Sequence, residues 1–370
     1  MRNSSTRKNI LFLGTYPEGL GASQRFRLEI YLQSVSDEGF DYDYKCFLSP
    51  EDYSFWYSKG FLIKKSKAII TGLLKRFSLL FRIQSYDLVF VQREALPVGP
   101  PILEFLISQV FRIPLVYDFD DAIWMVNHSE ANAYFKHLKC FWKVKHIIRY
   151  SSITIVGNHY LADYALHFNK HVKVIPTIVD TDSTHNPVLY NADKSDRICI
   201  GWTGSVSTNR FIENMIPLFD ELVEDHDFEL RIISNAPLSI ERDYIRFTQW
   251  SRETEMETLA LFDYGIMPLD MEDSFAKGKC GFKIIQYMAM GIVPIASPLG
   301  VNKEIIDHGV TGYLCSDKSE WKTVLNSILS KPTDNHEMGQ DARQKIIDTY
   351  SLNAQRLNFL SSLNGYKSDL

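Results

Sequence analysis

Short apolar runs recur along the first half of the chain, and most of them are separated by longer segments in which apolar residues return every three or four positions. The runs predict strands at Ile10–Leu13, Tyr42–Phe47, Leu88–Gln92, Leu115–Asp118, Ile153–Val156 and Val172–Ile175. The longer segments predict helices at about 23–37, 61–84, 101–111, 133–149 and 159–168. Strands that alternate with helices in this way predict an α/β unit with a parallel sheet and helices on both faces.

The same alternation starts again after a polar stretch. Pro176–Asp196 shows no periodicity, and we interpret it as a linker. Beyond it, strands are predicted at Ile198–Trp202, Leu230–Ile233, near Phe247, at Tyr264–Met267 and at Ile292–Ala296, and helices from Asn209 and at Glu253–Phe262, Trp321–Leu329, Glu337–Tyr350 and Asn353–Leu363. The chain is therefore predicted to hold two doubly wound, Rossmann-like domains, residues 1–180 and 196–350, and a terminal helix within 351–370.

The composition narrows the class of protein. The chain has 370 residues, of which 45% are hydrophobic, and this is enough to bury two cores. Its net charge of −5 argues against nucleic acid as a partner. Five cysteines without regular spacing indicate reduced thiols rather than a disulfide framework. Because no apolar run reaches the ~18 residues of a membrane span, we expect a soluble, cytoplasmic protein.

The stretch Lys277–Ser297 carries the clearest chemical signal. It begins with a glycine-broken, cationic approach to a helix, and Gly291 ends the helix before a short strand. Gly278 and Gly281 allow backbone N–H groups to come close to a ligand, and the helix dipole adds positive potential at the same place. The stretch therefore predicts an anion site.

Three polar side chains follow one another along this predicted helix. Lys279, Lys283 and Gln286 are spaced i, i+4 and i+7, so they would form one stripe, with lysines for a phosphate and Gln286 for hydroxyl groups. The opposite, buried side would hold Ile284, Ile285, Met288 and Ala289. The alternative is that the two lysines form only a solvated helix start.

These residues resemble the signature of the retaining glycosyltransferases of family 4, in which a Glu, seven residues and a second Glu precede Ala-Met-Ala-x-Gly-x-Pro-Val. The match from Gly281 to Ser297 is close, but Gly278 stands at the first Glu position and Gln286 at the second. The resemblance implies the GT-B fold, in which two domains face each other across a cleft and the last helix crosses back to the N-terminal domain. It also implies a nucleotide-sugar donor in the second domain, an acceptor in the first, retention of configuration, and no metal or other cofactor.

The end of the first strand of the second domain is a further candidate for the donor diphosphate. Gly204 is a close-approach position, Ser205 stands where the family usually has an Arg, and Arg210 stands where it has a Lys. The alternative is that Gly204 is only a turn glycine. The full set of predicted donor-binding residues is Gly204, Ser205, Arg210, Lys279, Cys280, Gly281, Phe282, Lys283 and Gln286.

In the first domain, charged residues stand near predicted strand ends. Arg25 and Arg27 are predicted in the first turn of a helix, where they oppose its dipole, so they would face an anionic ligand or else pair with a carboxylate. The acceptor-side residues in this interpretation are Arg25, Arg27, Glu94 and Asp121.

The segment Asp118-Phe-Asp120 spells the Asp-x-Asp of metal-dependent transferases of the other major fold. Hard cations favour such carboxylates. The two-domain architecture favours the metal-free interpretation instead, in which Asp118 or Asp120 is the candidate catalytic base. Asp121 could also cap a helix.

The segment 61–84 combines apolar and cationic residues without any acid. Its apolar stripe is Ile70, Leu73, Leu74, Phe77 and Phe81, and its cations are Lys64, Lys65, Lys67, Lys75, Arg76 and Arg82. Such a helix can lie on an anionic membrane surface, or it can pack on the sheet with a solvated basic face.

The sequence thus predicts a glycosyltransferase that moves a sugar from a nucleotide-diphosphate donor to a glycan or lipid-linked acceptor, in cell-envelope polysaccharide synthesis, peripheral at the inner membrane face. Two alternatives stay open: a sugar-nucleotide epimerase of the same fold, and a non-catalytic nucleotide-sugar-binding subunit.

Overall fold

The structure, a computed structural model, describes residues 7–58, 60–125, 138–190, 193–330 and 336–364. They form two units: Met1–Thr177 together with Gln355–Leu370, and Ile178–Ala354. Each unit contains a six-stranded sheet in which all paired strands are parallel. The predicted α/β class with two doubly wound sheets is confirmed.

The first unit follows the predicted alternation of strands and helices. Its strands are β1 (Asn9–Gly14), β2 (Asp41–Cys46), β3 (Leu88–Gln92), β4 (Leu115–Phe119), β5 (Ile153–Val156) and β6 (Val172–Val174), in the spatial order β2-β1-β3-β4-β5-β6. Its described α-helices are α1 (Ala22–Arg27), α2 (Leu32–Asp37), α3 (Pro50–Trp56), α4 (Leu62–Ser78), α5 (Ile102–Phe105), α6 (Lys143–Tyr150) and α7 (His159–Leu166). The central strands β3 and β4 are buried at every position, because helices cover both faces of the sheet.

The second unit repeats this architecture. Its strands are β7 (Ile198–Thr203), β8 (Phe228–Ser234), β9 (Ile245–Gln249), β10 (Tyr264–Met267), β11 (Val293–Ala296) and β12 (Tyr313–Leu314), in the order β12-β11-β10-β7-β8-β9. Its described α-helices are α8 (Asn209–Glu213), α9 (Ile216–Leu222), α10 (Glu255–Leu259), α11 (Phe282–Ala289), α12 (Asn302–Ile305), α13 (Lys318–Ser330) and α14 (His336–Thr349), and α15 (Leu352–Asn364) begins in this unit.

Several predicted helices are shorter or divided in the structure, and two of these differences bear on predicted residues. The segment 23–37 is two short helices, α1 and α2, because the backbone leaves the helical region at Leu28 (φ −128°). Only the first of them contains Arg25 and Arg27, and they lie in its last turn rather than in the first turn of a long helix. The segment 133–149 is helical over Lys143–Tyr150, and residues 133–137 lie outside the described residues.

The predicted linker is a packed part of the second unit from Ile178 onward. Its Val179 forms an isolated parallel bridge to Ser351, and His185 is buried. The stretch is polar because its side chains bond the chain itself: Asp180 accepts from the backbone N–H groups of Asp182 and Ser183.

The terminal helix α15 packs on the first unit from Gln355 onward. The ring of Phe359 stacks on Tyr31 with 4.0 Å between centroids, and the carbonyl oxygen of Asn358 accepts from Lys173 Nζ at 2.7 Å. This is the arrangement that the family resemblance implies for the last helix.

Two neighbouring glycines of the second sheet make room for aromatic rings, one of which belongs to helix α11. Gly201 and Gly265 are partners on β7 and β10. A Cβ at Gly201 would lie 1.9 Å from the ring of Phe262, and one at Gly265 would lie 2.4 Å from the ring of Tyr287. The two glycines therefore make room for aromatic rings. The hydroxyl of Tyr287 then accepts from the backbone N–H of Thr203 at 3.0 Å, which joins α11 to the carboxyl end of β7.

Helix α4 is attached to the first unit by buried cations. Arg76 is 1% exposed, and its guanidinium donates to the carbonyl oxygens of Ala95, Lys45 and Gly14. Burial lowers the pKa of Arg76 to about 10, so the group stays charged at neutral pH. Lys65 is also buried and donates to the carbonyl oxygen of Ser58 at 2.7 Å. The prediction that Lys65 and Arg76 belong to a solvated cationic face is wrong.

Among the described residues, no helix combines the length and the apolar character that crossing a membrane requires.

Replacing Arg76 should unfold the first unit more easily. In Arg76→Met the carbonyl oxygens of Gly14, Lys45 and Ala95 lose the guanidinium as a donor, although Gly14 still accepts from the backbone N–H of Phe47. Losing a buried hydrogen-bond partner should lower the free energy of unfolding by about 1–3 kcal/mol. The midpoint of thermal unfolding, followed by circular dichroism, should fall by several degrees. Arg82→Met, which removes an exposed arginine just beyond the same helix, is the matched control and should leave the midpoint nearly unchanged. Equal midpoints for both variants would contradict the role of Arg76.

Candidate functional site

The start of α11 is shaped by Gly281. This residue has the left-handed φ of +65°, and a Cβ there would lie 2.3 Å from Ile305 Cδ1. The left-handed backbone therefore favours glycine at this position, and any side chain there would also have to displace the terminal methyl of Ile305. Gly281 has no side chain with which to cap the helix, and the first turn of α11 carries no acidic residue. The positive end of the helix dipole is thus not offset by a carboxylate on the helix itself.

Trp202 brings Lys283 and Gly204 together. The Nζ atom of Lys283 lies 5.7 Å from the centroid of the Trp202 ring, on the first turn of α11. The same ring would approach a Cβ at Gly204 to 2.2 Å. The predicted cation and the predicted close-approach glycine therefore meet at one indole ring at the carboxyl end of β7.

Backbone N–H groups of the loop after β7 donate hydrogen bonds to other groups of the second unit. Gly204 N–H donates to the carbonyl oxygen of Ile233, and Ser205 N–H donates to Thr208 Oγ1 at 3.0 Å. A side chain at position 204 would collide with the ring of Trp202, and this explains the glycine there. The observation fits the alternative in which Gly204 is a structural glycine of the turn. Ser205 Oγ lies 2.9 Å from Ser207 Oγ.

Arg210, the predicted counterpart of the family lysine, is 64% exposed and pairs with Asp273 at 3.0 Å. Asp273 also accepts from the backbone N–H groups of Phe275 and Ala276. The carboxylate thus connects α8 to the turn Ala276–Gly278 that leads into α11. Sequence reasoning missed Asp273. Its position two residues before Phe275, where a carboxylate can bond the following backbone, was the available signal.

The predicted stripe of Lys279, Lys283 and Gln286 is not formed. The helix begins at Phe282, so Lys279 lies before it with an extended ψ of 141°, and its Nζ lies 5.5 Å from the centroid of the Phe275 ring. Gln286 is 1% exposed and donates to Glu255 Oε1 at 3.2 Å. Gln286 is therefore bonded inside the second unit, and its contact with hydroxyl groups of a ligand stays a prediction. The neighbouring Cys280 is buried as well.

Gln286 belongs to a buried polar cluster. Its Nε2 lies 3.4 Å from His185 Nε2, and the carbonyl oxygen of His185 accepts from Arg343 at 2.8 Å. Arg343 also donates to Thr181 and Ala289. The cluster holds the C-terminal half of α11 against α14 and the segment that was predicted to be a linker.

In the first unit, Arg27 and Asp118 form a buried ion pair. Arg27 Nε donates to Asp118 Oδ2 at 2.9 Å, Nη2 donates to Oδ1, and Nη1 donates to the carbonyl oxygen of Ile175. Both side chains are at most 2% exposed. Burial raises the pKa of the Asp118 carboxyl, and Arg27 opposes the rise. Asp118 is therefore a structural partner of Arg27, and its role as a catalytic base stays a prediction.

Arg93 holds the two neighbouring carboxylates. Its guanidinium donates to Asp120 Oδ1 and Asp121 Oδ2, each at 2.8 Å. Its own backbone has a φ of +60°, and its N–H donates to the carbonyl oxygen of Asp118. Burial would raise the pKa of Asp120, but Arg93 and Arg27 outweigh it and hold that pKa below its usual value. A carboxylate of low pKa is a weak base, which does not favour base catalysis by Asp120. Its catalytic role stays a prediction.

The remaining acceptor-side residues are also engaged within the first unit. Glu94 is buried and lies 3.4 Å from Lys143 Nζ. Arg25 is half-buried, and its guanidinium carbon lies 4.7 Å from the centroid of the Phe26 ring. Within the described ranges, His, Cys, Asp and Glu side chains form no group of three or more with the geometry of a metal site.

Comparison with known proteins gives a family match within the second unit. Residues 197–331 match the family model described as glycosyl transferases group 1. A curated relative, N-acetyl-alpha-D-glucosaminyl L-malate synthase of Bacillus anthracis, is 24% identical over 201 residues, which are 49% of this chain and 50% of that protein. The match thus spans half the length of that relative.

Solved structures extend the likeness to both units. Sucrose-phosphate synthase from Thermosynechococcus elongatus superposes with a TM-score of 0.68 at 13% identity, over 97% of this chain and 99% of the other. Anabaena HepE in complex with UDP and glucose gives a TM-score of 0.63 at 14% identity, over 96% and 99%. Residues 197–331 therefore match the model of the glycosyl transferases group 1 family, and the chain shares the GT-B fold of these solved structures.

Proposed function

We propose that the protein is a glycosyltransferase whose nucleotide-sugar donor binds the second unit at the start of α11. The observation that carries the proposal is the meeting of Lys283, Trp202 and the Gly281 helix start at the carboxyl end of β7. Ligands of doubly wound sheets bind at the carboxyl ends of the strands, and a helix N-terminus attracts anions. The family model covers this region, and HepE was solved with UDP and with UDP-glucose.

The donor's diphosphate is the group that this place suits. The helix dipole of α11 and the ammonium of Lys283 both favour negative charge, and Lys279 precedes the same helix. During transfer, the bond between the sugar and the diphosphate breaks, and negative charge grows on the departing diphosphate. Fixed positive groups that strengthen their interaction as this charge grows lower the barrier. Retention of configuration is proposed from the resemblance to family 4.

The acceptor is proposed to be a glycan or a lipid-linked glycan bound by the first unit. This class, and with it a role in cell-envelope polysaccharide synthesis, rests on the family resemblance. A cytoplasmic location is supported by the five cysteines, which are all free thiols as expected in a reducing compartment.

The proposal is tested by ligand binding followed by turnover. Thermal unfolding should be measured with UDP-, GDP-, ADP- and dTDP-sugars, and the true donor at 100 times its dissociation constant should stabilise the protein by about 2.7 kcal/mol. We expect a UDP-sugar to do so, and UDP to be released once a suitable acceptor is added. Consumption of the donor without any acceptor would favour an epimerase, and binding without turnover would favour a non-catalytic subunit.

Replacing Lys283 should weaken diphosphate binding and leave the fold intact. Lys283→Met keeps the helix propensity and removes the charge. A charge-assisted contact is worth about 1.5–3 kcal/mol, so UDP should bind about tenfold to a hundredfold more weakly by calorimetry. Uridine, which has no phosphate, should bind both proteins equally.

The matched control is Lys322→Met, which removes a lysine of α13 that pairs with Glu221 at the surface. It should change neither UDP affinity nor, to more than about 1 kcal/mol, stability. If Lys283→Met lowers the unfolding midpoint but not UDP affinity, Lys283 is structural and the donor site lies elsewhere.

Transfer is proposed to be independent of a divalent metal. The carboxylates of Asp118 and Asp120, which spell the metal-binding motif, are held by Arg27 and Arg93 instead. EDTA should therefore leave the initial rate of UDP release nearly unchanged. Loss of activity that manganese alone restores would overturn this assignment.

A further inference from the structure

In helix α4, two cationic side chains face the interior of the unit, and several apolar side chains face solvent. Arg76 and Lys65 point inward and bond backbone carbonyl groups, and Gly72 contacts the ring of Phe47. These contacts fix which face of the helix is turned to solvent. On the outward face stand Ile63, Ile70 and Leu74, which are 87%, 59% and 68% exposed.

The outward apolar residues form one continuous stripe. The positions 63, 67, 70 and 74 recur every three or four residues, and the helical spacing places them in a row about 16 Å long. Phe81, in the 3₁₀ turn Leu79–Ser85 that follows, is 92% exposed. At the start of the helix, Leu62, Ile63, Ser66, Lys67, Ile70 and Thr71 line an open, mainly apolar groove of about 410 Å³.

The stripe is accompanied by cations. Lys67 lies within it, and Lys64, Lys75 and Arg82 are exposed beside it. The segment 61–86 contains no Asp or Glu, although the whole chain has a net charge of −5. Asp43, whose charge acts on Arg82, is bonded by Tyr86 and by Lys45. An apolar stripe with a positive margin is complementary to a surface with an anionic outer layer and an apolar interior.

We propose that the outer face of α4 and of the 3₁₀ turn after it, defined by Ile63, Lys67, Ile70, Leu74 and Phe81, docks on the surface of an anionic phospholipid bilayer. The apolar side chains enter the boundary between headgroups and acyl chains, and the lysines contact lipid phosphates. A second copy of this chain is the competing occupant. It would bring the cations of two identical stripes together, and like charges disfavour that contact. The proposal does not depend on the proposed transferase activity, because it concerns a different surface.

The test is sedimentation of the full chain with vesicles. Wild type should partition onto vesicles of equal parts phosphatidylcholine and phosphatidylglycerol, and less onto phosphatidylcholine alone. The triple variant Ile63→Gln, Leu74→Gln, Phe81→Gln should lose at least about tenfold in partition coefficient. Its matched control is Val188→Gln, Leu189→Gln, Val310→Gln, three exposed apolar residues of the second unit, which should behave as wild type.

Charge is tested separately with a pair of variants of equal net charge. Lys67→Gln, Lys75→Gln should weaken binding to the anionic vesicles by about fivefold for each charge and leave binding to phosphatidylcholine unchanged. Lys170→Gln, Lys303→Gln removes two exposed lysines elsewhere and should have no effect. Each of these side chains is exposed, so the unfolding midpoint should stay at the wild-type value, and UDP affinity should not change.

Three outcomes would overturn the proposal. The first is a triple variant that partitions like wild type although its midpoint is unchanged. The second is equal effects of the two charge variants, which would indicate attraction by overall charge rather than by this face. The third is a wild-type dimer in sedimentation velocity without vesicles that the triple variant abolishes, which would make a second copy the occupant.

Discussion

The attachment of α11 to the second sheet is the constraint on which the candidate donor site depends. Adjacent strands β7 and β10 each carry a glycine at the same level, and the rings of Phe262 and Tyr287 occupy the space that side chains would otherwise fill. The Tyr287 hydroxyl then meets the backbone N–H of Thr203 at the last residue of β7. The helix start is thereby held at the strand end, where Lys283 reaches the ring of Trp202. A larger residue at Gly265 would displace the Tyr287 ring and with it the helix, and a larger residue at Gly201 would displace the ring of Phe262.

The first unit shows how buried cations organise an α/β domain. Arg27 holds Asp118 and the carbonyl of Ile175, and Arg76 holds three carbonyl groups on separate segments. A guanidinium with five donors can satisfy several buried acceptors at once, and a buried charge is tolerated only when it is paired in this way. Arg27 and Arg76, which in the sequence resemble contacts to a ligand or a membrane, therefore bond groups inside the folded unit.

The buried hydrogen bonds of helix α4 also determine which of its side chains are exposed to solvent. Because Arg76 and Lys65 occupy the inner side of α4, the apolar residues Ile63, Leu74 and Phe81 are left outside. Exposing them to water is unfavourable, whereas an interface with an apolar interior would cover them. Internal hydrogen bonding in the first unit and the proposed docking on lipid are thus two consequences of one helix orientation.

The strands could be predicted from the sequence, whereas the partners of polar side chains could not. Buried strands such as β3 and β7 were recognisable because strands covered on both faces are continuous apolar runs, a signal that lies within a few neighbouring residues. The glycine-broken approach to α11 was recognisable from Gly278 and Gly281, but Lys279 was placed inside the helix, which begins only at Phe282. These local patterns also carried the resemblance that the family model and the solved structures bear out over residues 197–331 and over the fold.

The partners of polar side chains depended on contacts between distant parts of the chain. Arg27 and Asp118 are 91 residues apart, Gln286 meets Glu255 and His185, and Arg76 bonds Gly14. A helical repeat defines which residues share a face, but it does not say which face is turned inward when the opposite face is apolar as well, as in α4. The sequence by itself determined most strands, the alternation that makes the sheets parallel, and the presence of α11, because these follow from local geometry and periodicity. Only the tertiary structure decided which charged side chains are buried and bonded internally, because burial depends on how distant segments pack together.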